Sequence, residues 1–213
     1  MLSFLVLLLN FAHAQVVIID DFSSANAHGY KVQEVLRKEY TGEIVNLSVY
    51  EYTKSLSKVL QIKPAVLNLS FGTNEYNTEE IELLKQISVQ GTFIVVAAGN
   101  NNQKVNMNNP VYPCFYPVKN LICVGAANGL EKALFSNFGP KVKVFTDGSF
   151  KGENVTSFAA PRVSAFVAGT LKCHNYPLDL INHKTMTVAG QGVSLIDNKA
   201  EDFCYHHAAR DPF

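Results

Sequence analysis

Three groups in this 213-residue chain have side chains and neighbours suited to nucleophilic chemistry: a hydroxyl, an imidazole and a carboxylate. The hydroxyl is Ser157, in Asn154-Val155-Thr156-Ser157-Phe158-Ala159-Ala160-Pro161. That cluster opens into Val163, Ala165, Phe166, Val167, Ala168, Gly169 and Leu171. A run apolar on nearly every face predicts a helix buried inside a domain. Pro161 falls within its first turns, where few backbone donors are lost. Ser157 lies at or next to the N-terminus, among backbone N–H groups without intrahelical partners and at the positive end of the helix dipole. This setting suits a nucleophile whose attack creates an oxyanion; it equally suits a serine that caps a core helix. The imidazole and carboxylate lie near the other end of the chain. Val16-Val17-Ile18-Ile19 reads as a central parallel strand ending in Asp20-Asp21. His28 follows eight positions after Asp20 and starts a helix marked by Val32, Val35, Leu36 and Tyr40. In open α/β sheets the ligand crevice lies at the carboxyl ends of the strands, so Asp20 and His28 share that edge. Periodicity does not separate Asp20 from Asp21.

The elements between these groups alternate. Glu43–Ser48 predicts a strand, Tyr50–Leu60 a helix, Ala65–Ser70 a strand broken by Phe71-Gly72, and Thr78–Val89 a helix with Glu79 and Glu80 in its first turn. Thr92–Ala97 is a further strand, ending in Ala98-Gly99-Asn100. Asn101–Val118 is an Asn- and Pro-rich ordered loop, and Leu121–Ala126 resumes the sheet. Ala133–Gly139 and Val142–Phe145 are short strands; beyond Tyr176 the pattern supports only a short helix near Leu178–Lys184 and a strand at Val193–Ile196. Strands alternating with helices predict an α/β fold: a doubly wound, mostly parallel sheet with helices on both faces.

Residues 1–14 form an apolar run, Leu2–Phe11, closed by Ala12-His13-Ala14, which reads as a signal peptide with Gln15 as the mature N-terminus. Residues 15–213 then form a single domain, secreted or periplasmic. The apolar run is short for a bilayer span, so stable membrane insertion is not expected. Export makes the four cysteines an even disulfide set, with Cys114–Cys123 and Cys173–Cys204 the favoured pairs. Eighteen Lys and Arg balance eighteen Asp and Glu, so nothing in the charge points to nucleic acid. Neither G-x-G-x-x-G nor G-x-x-x-x-G-K-[ST] follows any strand, which argues against nucleotide binding. Asn46, Asn68 and Asn154 each begin an N-x-Ser/Thr sequon, but Asn68 falls in a buried strand.

Taken in order, these stretches resemble the subtilisin-like serine proteases. Val17-Ile18-Ile19-Asp20 is similar to that family's aspartate strand and Asn26-Ala27-His28-Gly29 to its histidine motif. Val66–Gly72 is similar to its substrate-binding strand, and Val95–Asn100 to the strand that ends in the oxyanion asparagine. Tyr116-Pro117, Ile122–Ala126 and Phe135–Gly139 match further core stretches, and Thr156–Pro161 matches the serine motif. The order Asp, His, Ser is also that family's.

The resemblance implies an endopeptidase acting through Asp20, His28 and Ser157. His28, with an ordinary pKa of about 6.5, would take the Ser157 proton, and Asp20 would fix its tautomer. Asn100 and the Ser157 backbone N–H would form the oxyanion hole. Ser70-Phe71-Gly72 and Ala97-Ala98-Gly99 would bind the substrate backbone as an added strand. The implied partner is a protein or peptide substrate, with the enzyme a monomer. No cofactor and no metal in the site are expected, although the family leaves room for a structural calcium. The chain departs from the family pattern in several places. Asp21-Phe22 replaces Thr-Gly or Ser-Gly, Tyr30-Lys31 follows His28-Gly29, and Val155 stands where glycine is usual. The Asp-to-His loop is short, and no pro-segment fits between Ala14 and Val16. The alternative reading is a catalytically weak or inactive scaffold of the same type that binds peptides.

Overall fold

A computed structural model describes residues 15–171, 185–189 and 191–196. The expected signal peptide, the expected helix near Leu178–Lys184 and the expected Cys173–Cys204 pair fall outside these residues. The strands are β1 (Val16–Asp20), β2 (Ile44–Ser48), β3 (Val66–Leu69), β4 (Phe93–Ala97), β5 (Leu121–Asn128), β6 (Glu131–Lys132), β7 (Val142–Asp147), β8 (Ser149–Phe150), β9 (Glu153–Asn154), β10 (Thr185–Val188) and β11 (Gln191–Leu195). The helices are α1 (His28–Arg37), α2 (Tyr52–Ile62), α3 (Thr78–Val89) and α4 (Thr156–Thr170).

The main sheet runs β10-β11-β7-β5-β4-β3-β1-β2, with β6 added to β5. Every pairing from β2 to β11 is parallel; only β10 and β6 run antiparallel to their neighbours. The chain moves one way from β1 to β2, then the other way through β3, β4 and β5. The order therefore reverses between β1 and β3, which is where an open α/β sheet opens a crevice. Residues along each central strand alternate between two cores. Val16 and Ile18 of β1 pack with α1 and α4, whereas Val17 and Ile19 pack with α2 and α3. Burial on both faces explains why β1 reads as an unbroken apolar run.

Helix α4 belongs to the inner layer. Twelve of its fifteen residues are buried, which explains an apolar pattern with no polar stripe. The strand expected at Ala133–Gly139 is instead a turn region. Ser136 and Asn137 there are fully buried, and their side chains bond backbone groups of neighbouring segments. Short apolar runs do not distinguish a strand from such an inward-folded turn. The small β8–β9 hairpin and β6 carry too little pattern to be read from sequence.

The long loop 101–118 is tied down at several points. Lys104 bridges to Phe138 and Tyr112 to Thr73. Cys114 in this loop is joined to Cys123 in β5, with their Cα atoms 5.1 Å apart. The bond closes a short loop, so its main effect is to restrict the unfolded chain. Replacing both cysteines by serine should cost roughly 2–3 kcal/mol in a urea titration. A loss below about 0.5 kcal/mol would show that the other ties of this loop make the bond redundant.

Candidate active site

Asp20 ends β1 at the reversal point and is 4% exposed. Its Oδ1 accepts from His28 Nδ1 at 2.8 Å and from the Asp21 backbone N–H at 2.7 Å. Oδ2 is buried and has no hydrogen-bond partner among the described residues. Asp21 points elsewhere: its Oδ1 accepts from the Ser23 N–H, while its carbonyl accepts from the Gly29 N–H. The structure thus separates the two acids, which the strand pattern alone left equivalent.

His28 is the first residue of α1. Glycine is needed directly after it, because a Cβ on Gly29 would lie 2.6 Å from the Asp21 carbonyl oxygen and 2.8 Å from the Phe22 ring. The imidazole stacks on Phe158, with ring centroids 6.0 Å apart and planes 18° apart. Phe158 follows Ser157 in sequence, so the serine helix itself forms one wall of the histidine site. With Nδ1–H donating to Asp20, the neutral ring carries its free lone pair on Nε2. The hydrogen bond and charge of Asp20 raise the His28 pKa above its ordinary 6.5, against opposing effects of partial burial and Lys31.

Ser157 is the second residue of α4, after an N-cap at Val155. Val155 has φ −150° and ψ 154°, an extended conformation open to any residue, so the position occupied by glycine in the family accepts valine without strain. The Ser157 hydroxyl donates to the Ser70 carbonyl oxygen at 2.9 Å. Among the described residues no hydrogen bond joins it to His28.

Asn100 faces the same helix turn. Its Oδ1 accepts from the Thr156 N–H at 2.8 Å and from the Thr156 hydroxyl at 2.9 Å. Thr156 Oγ1 in turn accepts from the Gly99 N–H at 3.1 Å. This pair fixes the amide of Asn100, leaving Nδ2 as the free donor. Buried Asn137 holds the segment from the other side. Its Nδ2 donates to the Ala98 carbonyl, and its Oδ1 accepts from the N–H groups of Asn101 and Gln103. Gly99 has φ +96°, and a Cβ there would lie 2.5 Å from Asn137 Nδ2, so close approach and backbone conformation both require glycine. Thr156 and Asn137 belong to stretches that the sequence flags, yet their support of Asn100 follows only from the three-dimensional contacts.

A cavity of about 220 Å³ opens beside Ser157 and Asn100, walled by Phe71, Gly72, Ala97, Gly99, Val111 and Asn137. No ionisable side chain lines it. Of the six expected substrate-binding residues, Phe71, Gly72, Ala97 and Gly99 line the cavity. Ala98 is fully buried and gives both backbone groups to Val124 and Asn137. The Ser70 hydroxyl donates to the Ser157 carbonyl. Among the described residues no group of three or more His, Cys, Asp or Glu side chains is placed to hold a metal ion.

The subtilase family model matches residues 23–189, and the chain belongs to that family. The match begins just past Asp20, whose pairing with His28 rests on the structure. Similar curated proteins are subtilisin-like protease 1 of Trichophyton rubrum, 30% identical over 117 residues, and an extracellular serine proteinase of Thermus sp. strain Rt41A, 30% identical over 115 residues. These matches cover 50% and 51% of this chain, but only 22% and 25% of the relatives' lengths. A crystal structure of a cold-adapted subtilisin-like serine proteinase has the same fold, with a TM-score of 0.69 at 20% identity over 86% of this chain and 89% of that one. The self-cleaved protease domain of PatA superposes with a TM-score of 0.61 at 18% identity, over 74% and 79% of the two chains.

The Asp20–His28 contact has a defined pH dependence. Because the folded state raises the histidine pKa, the contact adds stability below about pH 6.5, and this contribution is lost as pH rises through the raised value. An NMR titration should find the His28 midpoint above 6.5, and Asp20→Asn should move it downward, since burial and Lys31 still act on the ring. A wild-type midpoint at or below 6.5 would contradict the assigned pairing.

Proposed function

We propose that the chain is a serine endopeptidase using Asp20, His28 and Ser157, secreted through removal of residues 1–14. The observation that carries this reading is the 2.8 Å Asp20–His28 hydrogen bond, formed at the sheet edge where Ser157 lies in the first turn of a buried helix. A change of the Ser157 side-chain rotamer from the Ser70 carbonyl toward His28 starts the reaction; such contacts commonly tighten only when substrate is bound. Nε2 of His28 takes the hydroxyl proton as Oγ attacks the substrate carbonyl. The oxyanion accepts from Asn100 Nδ2 and from the Ser157 backbone N–H, which lacks an intrahelical acceptor at this position. Asp20 stabilises the imidazolium, which then gives its proton to the leaving amine. Water releases the acyl group by the same steps in reverse order, with His28 again the base.

The uncharged cavity beside Ser157 accommodates an uncharged substrate side chain, because a charge buried there would lose its water without gaining a partner. One of the relatives is named as extracellular, which agrees with secretion. The bond from Ser157 to Ser70 instead of His28 favours a second reading: a peptide-binding protein that keeps the family fold with little catalysis.

A fluorophosphonate probe distinguishes the two. An activated Ser157 should be labelled selectively in the folded protein, with a rate that rises with pH through a midpoint above 6.5. Ser157→Ala should abolish labelling, and His28→Ala should reduce it by orders of magnitude. Asn100→Ala should cost about 100- to 1,000-fold in turnover, the loss characteristic of subtilisin's own oxyanion-hole asparagine. Folded protein that takes no label at Ser157 would leave the peptide-binding reading in its place.

A further inference from the structure

Helix α4 contains a proline at a position that leaves a backbone acceptor of the Ser157 residue without its helical donor. In an α-helix the carbonyl of residue 157 accepts from the N–H of residue 161. Residue 161 is proline and has no N–H, yet α4 continues to Thr170. The missing donor is supplied from another strand: the Ser70 hydroxyl donates to the Ser157 carbonyl at 2.9 Å.

That hydroxyl is itself held. Ser70 is 2% exposed, and its oxygen accepts from Asn68 Nδ2 at 3.0 Å. Asn68 Oδ1 accepts from the Ser164 hydroxyl at 2.9 Å. Asn68 and Ser164 are fully buried, so no bulk water competes for these bonds. Ser164 lies about two turns beyond Ser157 and therefore on the same face of the helix. Donation runs in one direction, from Ser164 to Asn68 to Ser70 to the Ser157 carbonyl. It starts and ends on α4 and passes through the end of β3. The Ser70 backbone carbonyl closes the frame by accepting from the Ser157 hydroxyl.

We infer that Ser70, Asn68 and Ser164 are positioning residues for Ser157, with the Ser70 hydroxyl standing in for the backbone donor that Pro161 lacks. The inference rests on Ser157 being the nucleophile. Each member suits its place chemically: the amide at position 68 accepts from one hydroxyl with its oxygen and donates to the other with its nitrogen. A carboxylate or leucine of similar size there breaks the direction of donation. The relay fixes the axial position of Ser157 against β3, and so the distance from which its Oγ must reach His28 and the substrate carbonyl.

The test uses the full chain and a fluorophosphonate probe, separating the maximal labelling rate from the probe concentration at half-saturation. Ser70→Ala and Ser164→Ala should each slow the maximal rate by roughly 10- to 100-fold, the scale of a misplaced reacting group. Half-saturation and the pH midpoint should not change, because neither the cavity nor the Asp20–His28 pair is altered. The double variant should be no slower than Ser70→Ala, since both act along one path. Pro161→Ala in the Ser70→Ala background should recover most of the rate by returning an N–H to the Ser157 carbonyl. Thermal unfolding establishes that each variant is folded; should Ser70→Ala fail to fold, Ser164→Ala carries the same comparison. Folded variants that label at the wild-type rate would overturn the relay while leaving the protease reading intact, and so would a folded Ser70→Ala variant that Pro161→Ala does not rescue. Wild-type protein that takes no label would remove the nucleophile and the relay with it.

Discussion

Burial of α4 is the constraint on which the other features depend. A helix apolar on every side must be enclosed, and an enclosed helix cannot leave its terminal backbone groups to water. Its first turn therefore draws polar partners from several segments. Asn100 accepts from the Thr156 N–H and hydroxyl, the Ser70 hydroxyl meets the Ser157 carbonyl, and Gly148 accepts from the Val155 N–H. The place where the fold must satisfy these groups is also the reversal point of the sheet, where a crevice opens. Demands of stability and of chemistry fall on the same few residues.

The two halves of the site are held by different physics. On the Asn100 side, Thr156 donates twice to the Asn100 amide oxygen, and Asn137 holds the flanking backbone at Ala98, Asn101 and Gln103. Such a multiply bonded polar network fixes one arrangement. On the histidine side, a partly exposed imidazole rests between one carboxylate oxygen and the Phe158 ring. The second oxygen of Asp20 is buried without a partner, so the acid is held mainly through its contacts with His28 and the Asp21 N–H. Rigid donors beside a less constrained base suit a reaction in which the base must move a proton twice while the oxyanion position stays fixed.

The departures from the family pattern are absorbed locally. Asp21 keeps a backbone N–H on Asp20 and uses its side chain to tighten the following turn at Ser23. Phe22 and Tyr30 pack edge to face at 5.2 Å, joining the short loop to the start of α1 where the family has smaller residues. Val155 occupies extended backbone and rests against the inner core. None of these changes displaces His28 from Asp20.

The sequence alone determined the layered α/β fold, because strands buried on both faces and a helix buried all round leave distinct apolar patterns. Asp20, His28, Asn100 and Ser157 stood out for a related reason: each lies at or just past the end of a strand or in the first turn of a helix, and such positions are marked by abrupt changes from apolar to polar residues. Tertiary structure alone decided the rest. Choosing Asp20 over Asp21 from physical contacts required knowing which carboxylate met the imidazole, since both end the same strand. The turn at 133–139 looked like a strand because a short apolar run does not show that Ser136 and Asn137 face inward toward backbone groups of other segments. The partner of the Ser70 hydroxyl, the carbonyl of a residue 87 positions away, leaves no mark in the local pattern. Periodicity records which side of an element faces the core; which donor meets which acceptor across that core is set only when the chain has closed on itself.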